Sequence, residues 1–201
     1  MARVLLVVTG SVAAIRTPEL CRGLIAAGHE VRVAPTEASL HFFDVAILGS
    51  VEVFQDRDEW PDGGYRRGDP VLHIELRKWA EVLVVAPLDA HTLAKLAYGL
   101  ADNLLSCVLR AWDFSKPLVL APAMNSLMWE SPITGRHFRQ LLEDRGDGDE
   151  PADWTLDDLG AVFARHCPGV VVVSPQSKRL ACGDVGVGGM AEVGEIVGAL
   201  K

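Results

Sequence analysis

Arg3-Val-Leu-Leu-Val-Val-Thr-Gly-Ser-Val-Ala-Ala14 opens the chain with an unbroken apolar run that breaks into threonine, glycine and serine. A short run of this kind, rich in β-branched residues, reads as a strand buried on both faces, as strands are in parallel sheets. Gly10 permits a tight turn and a close approach to the backbone, and Ser11 can cap the helix that follows. Exposed N–H groups at such a helix start suit an anion. The dinucleotide pattern Gly-x-Gly-x-x-Gly is absent after this strand. That argues against NAD and leaves room for a mononucleotide, with a plain turn and a capping serine as the simpler alternative.

Working outward, similar runs recur at 30–34, 82–86, 118–121 and 170–174, with a weaker one at 51–54. Helical patterns separate them. One at 18–27 stops at Gly28, and one at 70–79 carries Leu72, Leu76 and Trp79 on a single stripe. Others lie at 88–96, 102–112, 131–142, 155–165 and 191–200. Strand alternating with helix predicts an α/β protein with a doubly wound parallel sheet, a single domain over 1–201. Ligands of such sheets bind beyond the carboxyl ends of the strands.

Those exits are rich in small and hydroxylated residues. The first is Thr9–Ala14, and the second is Pro35-Thr36-Glu37-Ala38-Ser39, ahead of Phe42 and Phe43. Another is Pro87-Leu88-Asp89, running into Ala90, His91 and Thr92, with Asp89 reading as a helix cap. The last is Ala121-Pro-Ala-Met-Asn-Ser-Leu-Met-Trp129, where Asn125 stands among Met124, Met128 and Trp129. A buried amide without partners costs about 1–3 kcal/mol. Asn125 therefore either caps the next helix or holds a ligand.

Composition sets the bounds. The 201 residues are 49% hydrophobic and 23% charged, with a net charge of −8. That charge argues against a phosphate-tracking surface, so nucleic acid is not expected as a partner. Within 144–153, DRGDGDEPAD, five acids face one arginine, which reads as an acidic loop. With the helix after it, the segment at about 144–167 reads as an insertion: a loop and a surface helix. The four cysteines form no Cys-x-x-Cys pair, so neither a disulfide framework nor a metal site is indicated. No apolar run reaches the 18 residues needed to span a bilayer, and the amino terminus lacks a signal-peptide pattern. The cytoplasm is the expected compartment.

Two further features carry chemistry. His73 lies on the 70–79 helix, one place round from its apolar stripe. Ala181-Cys-Gly-Asp-Val-Gly-Val-Gly-Gly-Met190 has glycines at 183, 186, 188 and 189, a density that suits a mobile flap over a site or, failing that, a static hairpin. Lys178 and Arg179 precede it as cations for an anionic substrate.

With those residues quoted, the chain resembles the flavin-dependent cysteine decarboxylases. The resemblance runs from Val4 to Val197 apart from the acidic insertion. It rests on Thr9-Gly-Ser-Val-Ala-Ala14, Asp69-Pro-Val-Leu-His-Ile-Glu-Leu-Arg-Lys-Trp79, Ala86-Pro-Leu-Asp-Ala-His-Thr92 and Asp102-Asn-Leu-Leu-Ser-Cys107. Pro122-Ala-Met-Asn-Ser-Leu-Met-Trp129 and Ala181-Cys-Gly-Asp184 complete it. It implies a Rossmann-like (flavodoxin-like) fold and a homotrimer with FMN near the subunit boundary. The implied substrate is 4′-phospho-N-pantothenoylcysteine, decarboxylated to 4′-phosphopantetheine in coenzyme A synthesis.

By the same resemblance, His73, Asn125 and Cys182 are catalytic. Gly10, Ser11, Val12, Thr36, Phe42, Asp89, Ala90, His91 and Thr92 are flavin contacts. Asn125, Met128, Lys178, Arg179, Gly183, Asp184 and Met190 face the substrate. Asn125 would hold the carboxylate, Cys182 on the flap would donate a proton, and His73 would act as base or orienter. His91 departs from the family, which has asparagine there, and the flap ends Gly188-Gly-Met190 where relatives have a small residue or arginine before the methionine. Other classes consistent with these motifs are a non-catalytic relative that regulates a phosphatase or completes a mixed trimer, a peptidyl-cysteine decarboxylase, and a flavin prenyltransferase. The last typically has a Gly-Ala-Ser-Gly turn, unlike Gly10-Ser-Val-Ala13.

Overall fold

In the computed structural model, which describes residues 1–147, 151, 153–179 and 185–200, the apolar runs line up as one parallel sheet. Its strands are β1 (Arg3–Val8), β2 (Glu30–Pro35), β3 (Glu52–Val53), β4 (Val82–Leu88), β5 (Leu118–Pro122) and β6 (Val170–Val172). Their order is β3-β2-β1-β4-β5-β6, and every pairing is parallel. The weak run at 51–54 is the two-residue edge strand β3. Without it, the remaining strands follow the flavodoxin-like order.

The helices are α1 (Thr17–Ala26), α2 (Asp56–Glu59), α3 (Leu72–Trp79), α4 (Ala90–Tyr98) and α5 (Leu104–Arg110). They continue as α6 (Ser126–Trp129), α7 (Pro132–Arg145), α8 (Leu159–His166) and α9 (Val193–Gly198). A second, antiparallel pair, β7 (Gln176–Arg179) and β8 (Val185–Gly189), forms a hairpin outside the main sheet. Residues 185–189 of the expected flap are thus strand β8.

Alternation along each strand divides the core into two layers. Val4, Leu6 and Val8 of β1 and Val82 and Val84 of β4 join residues of α1 and α9 in one apolar cluster. Leu5, Val7, Leu83 and Val85 point the other way, into a cluster with α3, α4, α5, α7 and α8. Burying a Val or Leu contributes about 1.5–3 kcal/mol, and the buried polar residues Thr9 and Thr36 stand just past the ends of β1 and β2. Helix starts are marked by side-chain caps: Asp89 for α4, Asn103 for α5, Asn125 for α6 and Ser131 for α7. Gly99, with φ +68°, ends α4 in the left-handed region that favours glycine.

The late helix differs from its expected surface position. α8 buries Leu159, Val162 and Phe163, and Phe163 meets Phe138 of α7 edge to face with ring centroids 6.1 Å apart. Trp154, just before it, is 6% exposed. The amphipathic face of α8 packs in the crossover between β5 and β6, so the helix belongs to the core.

Candidate functional site

The sheet reverses its winding between β1 and β4, and this switch point opens a crevice at their carboxyl ends. Thr9, fully buried, ties the two exits together. Its hydroxyl donates to the Pro87 carbonyl at 2.8 Å and accepts from the Asp89 N–H at 2.8 Å. Gly10 sits where three exits converge. A Cβ there would lie 2.7 Å from Ala38 Cβ, at the β2 exit, and 3.4 Å from Asp89 Oδ2, at the β4 exit. Glycine is required at that crossing.

Around it the expected cofactor residues fall into two kinds. Ser11 accepts from the Ala13 N–H at 3.4 Å and keeps its hydroxyl proton to donate. Val12 is 44% exposed and His91 is exposed on the first turn of α4, with Ala90 half-buried beside it. The other kind shapes the turns. Asp89 Oδ1 accepts from the Thr92 N–H at 2.7 Å, and Thr92 is buried. Thr36 Oγ1 accepts from the Ser39 N–H at 3.2 Å, and its carbonyl accepts from Ser39 Oγ at 2.7 Å. Phe42 is half-buried and lines an open cavity of about 490 Å³ with Leu40, His41, Phe43, Asp44, Val45 and Gln55. Small residues at the backbone crossing and a cavity walled by an aromatic pair fit a phosphate-bearing flat ring such as FMN.

Asn125 caps α6 through its own side chain. Its Oδ1 accepts from the Met128 N–H at 3.2 Å, so capping and ligand binding need not compete. The oxygen is used, and the Nδ2 amide has no hydrogen-bond partner among the described residues. Met128 and Leu127 beside it are 54% and 76% exposed.

The hairpin crosses this cap at very short range. The Met124 N–H donates to the Gly188 carbonyl at 2.9 Å. A Cβ on Gly188, whose φ is +135°, would run into the Met124 carbonyl oxygen, and one on Gly186 would run into Ser126 Oγ. Glycine density here thus serves close approach at two of its positions, a reason distinct from the mobility expected from sequence. Lys178 and Arg179 lie in β7. Cys182, Gly183 and Asp184 fall in 180–184, the residues that join the two strands and that lie outside the described ones. Met190, expected at the substrate, is 2% exposed within the same apolar cluster as Ala123, Ala191 and Ile196. Its unbranched side chain packs in that cluster just past the end of β8.

The cysteines at 21, 107 and 167 are poor candidates for chemistry. Burial pushes each of their thiols up, which keeps them protonated and weakly reactive.

His73 lies in the first turn of α3, which is held against α2 and α5. Its backbone N–H and its ring Nδ1 both reach one carboxylate. The His73 N–H reaches Glu59 Oε2 at 2.8 Å, and Nδ1 lies 2.6 Å from Glu59 Oε1. The Glu59 side chain is 5% exposed and that of His73 22%. α2 also supplies Asp56, whose Oδ1 accepts from the Leu104 N–H at 2.9 Å at the start of α5. Sequence reasoning missed Glu59, because Asp56-Arg-Asp-Glu59 reads as surface charge and its partner is fourteen residues away. It also missed Thr9 as the clasp between exits. The hydroxyl immediately after an apolar strand was the available signal there.

Residues 1–148 match the family model described as Flavoprotein. The chain is 49% identical over 191 residues to phosphopantothenoylcysteine decarboxylase of Arabidopsis thaliana, covering 94% of this chain and 79% of that protein. Among solved structures it is similar to a cysteine-to-serine variant of PPC decarboxylase complexed with pantothenoylaminoethenethiol. The TM-score is 0.81 at 46% identity, over 99% of this chain and 96% of that one. It is also similar to the FMN binding protein AtHal3, with a TM-score of 0.77 at 47% identity over 99% and 94%. The chain belongs to the flavoprotein family, in the group of its phosphopantothenoylcysteine decarboxylases.

Proposed function

We propose that this protein decarboxylates 4′-phospho-N-pantothenoylcysteine to 4′-phosphopantetheine with FMN as cofactor. The observation that carries the proposal is Asn125, whose oxygen caps α6 while its Nδ2 amide stays available beneath the hairpin. A neutral amide can orient a carboxylate through hydrogen bonds without the strong ground-state stabilisation of an arginine, which would deepen the well the leaving CO2 must escape.

Bound FMN supplies the two-electron oxidation of the thiol-bearing carbon and the return of those electrons after CO2 has left. Oxidation gives a thioaldehyde, so the electron pair of the breaking C–C bond can flow into sulfur and leave an ene-thiolate. Asn125 Nδ2 holds the carboxylate until that step. Gly10, Ser11, Val12 and Thr36 would receive the cofactor's phosphate side, with Phe42 and the Asp89–Thr92 turn against its ring.

Cys182 would donate a proton to the carbon that lost CO2. A free thiol, with pKa of about 8.5, is mostly protonated at neutral pH and can act as an acid. The enethiol held by the cysteine-to-serine relative is what a stalled final reduction would leave. Lys178, Arg179, Gly183 and Asp184 would bind the substrate together with Met128.

We place the site at a boundary between copies in a homotrimer. His73 is held against α2 and α5 while Asn125 lies beneath the hairpin, and Leu127, Met128 and Ile133, which follow Asn125 in the chain, are 76%, 54% and 51% exposed, a surface a second copy would cover. Among the described residues no helix is long and apolar enough to cross a membrane, and we assign the protein to the cytoplasm. The test is CO2 release by the purified yellow protein, from phosphopantothenoylcysteine beside a peptide ending in cysteine. Turnover of the first alone is expected. A colourless protein with no turnover would contradict the proposal and favour a regulatory relative.

A further inference from the structure

We infer that Glu59 is the positioning residue for His73: it fixes the imidazole as the Nδ1–H tautomer and so presents the Nε2 lone pair as a proton acceptor. The inference rests on the decarboxylase reading for its catalytic consequence and on geometry for the rest. The Glu59 carboxylate is nearly buried, with a side chain 5% exposed. A carboxylate taken out of water needs donors, and two nitrogens of His73 reach it, the backbone N–H at 2.8 Å and Nδ1 at 2.6 Å. An ionised carboxylate only accepts. Nδ1 must therefore carry the proton, and Nε2 is left without one in the neutral ring.

The residue before α3 offers no cap of its own, since Val71 has no side chain to accept. Glu59 supplies that cap from α2, which locks the carboxylate in place before it meets the ring. α2 is fixed in turn by its own capping box at Gln55 and by the bond from Asp56 to the start of α5. Three helix starts thus hold one carboxylate rigid.

In the reaction, Nε2 would take the proton of the substrate thiol, while bound FMN would supply the two-electron oxidation of the carbon that bears it. The resulting imidazolium faces the Glu59 carboxylate through Nδ1–H, which stabilises the charge where it forms.

Glu59→Gln separates this role from simple capping. The amide oxygen can still accept from the His73 N–H, so α3 stays capped. The NH2 group then faces Nδ1, which must accept, and the ring is forced into the Nε2–H tautomer. Long-range proton–nitrogen correlation spectra of the FMN-loaded protein should show His73 protonated at Nδ1 in the wild type and at Nε2 in Glu59→Gln. The variant should keep its flavin spectrum and its KM within about threefold while kcat falls roughly 10²–10⁴-fold, the span of general acid–base catalysis. Nε2–H in the wild type would overturn the inference whether or not the variant folds. Wild-type kcat in Glu59→Gln would overturn it as well. A wild type that shows Nδ1–H yet releases no CO2 would instead sink the decarboxylase reading and leave the tautomer assignment standing.

Discussion

Thr9 and Asn125 are polar residues at the exits of two strands of one sheet, and they are built to opposite ends. Thr9 is fully buried, and its hydroxyl both donates and accepts at 2.8 Å. Asn125 is half-buried and uses its oxygen alone. A saturated polar group fixes the scaffold. A group with donors to spare, held still by a cap, can meet a ligand without first giving up another bond.

The sharpest way to break this comparison is Asn125→Asp. Aspartate caps helices as well as asparagine does, so α6 should persist and flavin should stay bound. The donors are lost, however, and a like charge faces the carboxylate. Decarboxylation should fall about 10³-fold or more, somewhat beyond the loss from deleting one transition-state donor. Steady-state CO2 release measures it, and turnover near that of the wild type would show that the amide is not aimed at the substrate.

Next in size is Gly188→Ala. Its φ of +135° and the Met124 carbonyl leave no room for a methyl group, so the hairpin must move off the cap. A displacement of about 1 Å costs roughly 10²-fold in rate, while the flavin absorbance should not change because the switch point is elsewhere. Full activity would show that the hairpin's seat on Met124 is immaterial.

Thr9→Val tests the other half of the comparison. The shape is kept, but Pro87 O loses a donor and Asp89 N loses its acceptor, both in the core of the switch point. Stability should fall by about 1–3 kcal/mol in urea titration. No change would mean that water replaces the hydroxyl.

The smallest effect is expected far from the site, at His137 on α7. Burial, and then the nearby Arg136, push its imidazole below the ordinary value. The unfolded chain therefore takes up the proton first, near pH 6.5. Stability should be flat above that pH and decline as pH falls from about 6.5 towards the lower folded value. His137→Phe, which keeps a ring against Tyr98, at 5.3 Å in the native protein, should remove that decline. Identical pH profiles for the two proteins would contradict it.

The fold was legible because its signal is local. Continuous apolar runs separated by helical stripes mark a parallel sheet wherever they occur, and the runs at 3–9, 30–34, 82–86, 118–121 and 170–174 all form strands. The four-residue helices α2 and α6 left no trace, being shorter than the period that would reveal them. Asn125 and His73 were visible through motif resemblance and Asn125 through its apolar setting, but not the atoms they use. That Oδ1 caps and Nδ2 remains, or that Glu59 turns the His73 ring, depends on contacts between separate elements. The surface position expected for the helix at 155–165 failed for a related reason. The acidic stretch looked peripheral, and the apolar face of α8 behind it fits only once β6 and α7 are in place.

The most direct test of the Asn125 assignment is a pair of affinities, not a rate. Titrate the oxidised wild type and Asn125→Asp, under conditions that block turnover, with a carboxylate-bearing substrate analogue lacking the thiol and with 4′-phosphopantetheine, which has no carboxylate. If the Nδ2 amide holds the carboxylate, the variant should lose at least about tenfold in affinity for the first, the equivalent of 1.4 kcal/mol, and bind the second within about twofold of wild type. Equal losses for both ligands, or none for either, would contradict it.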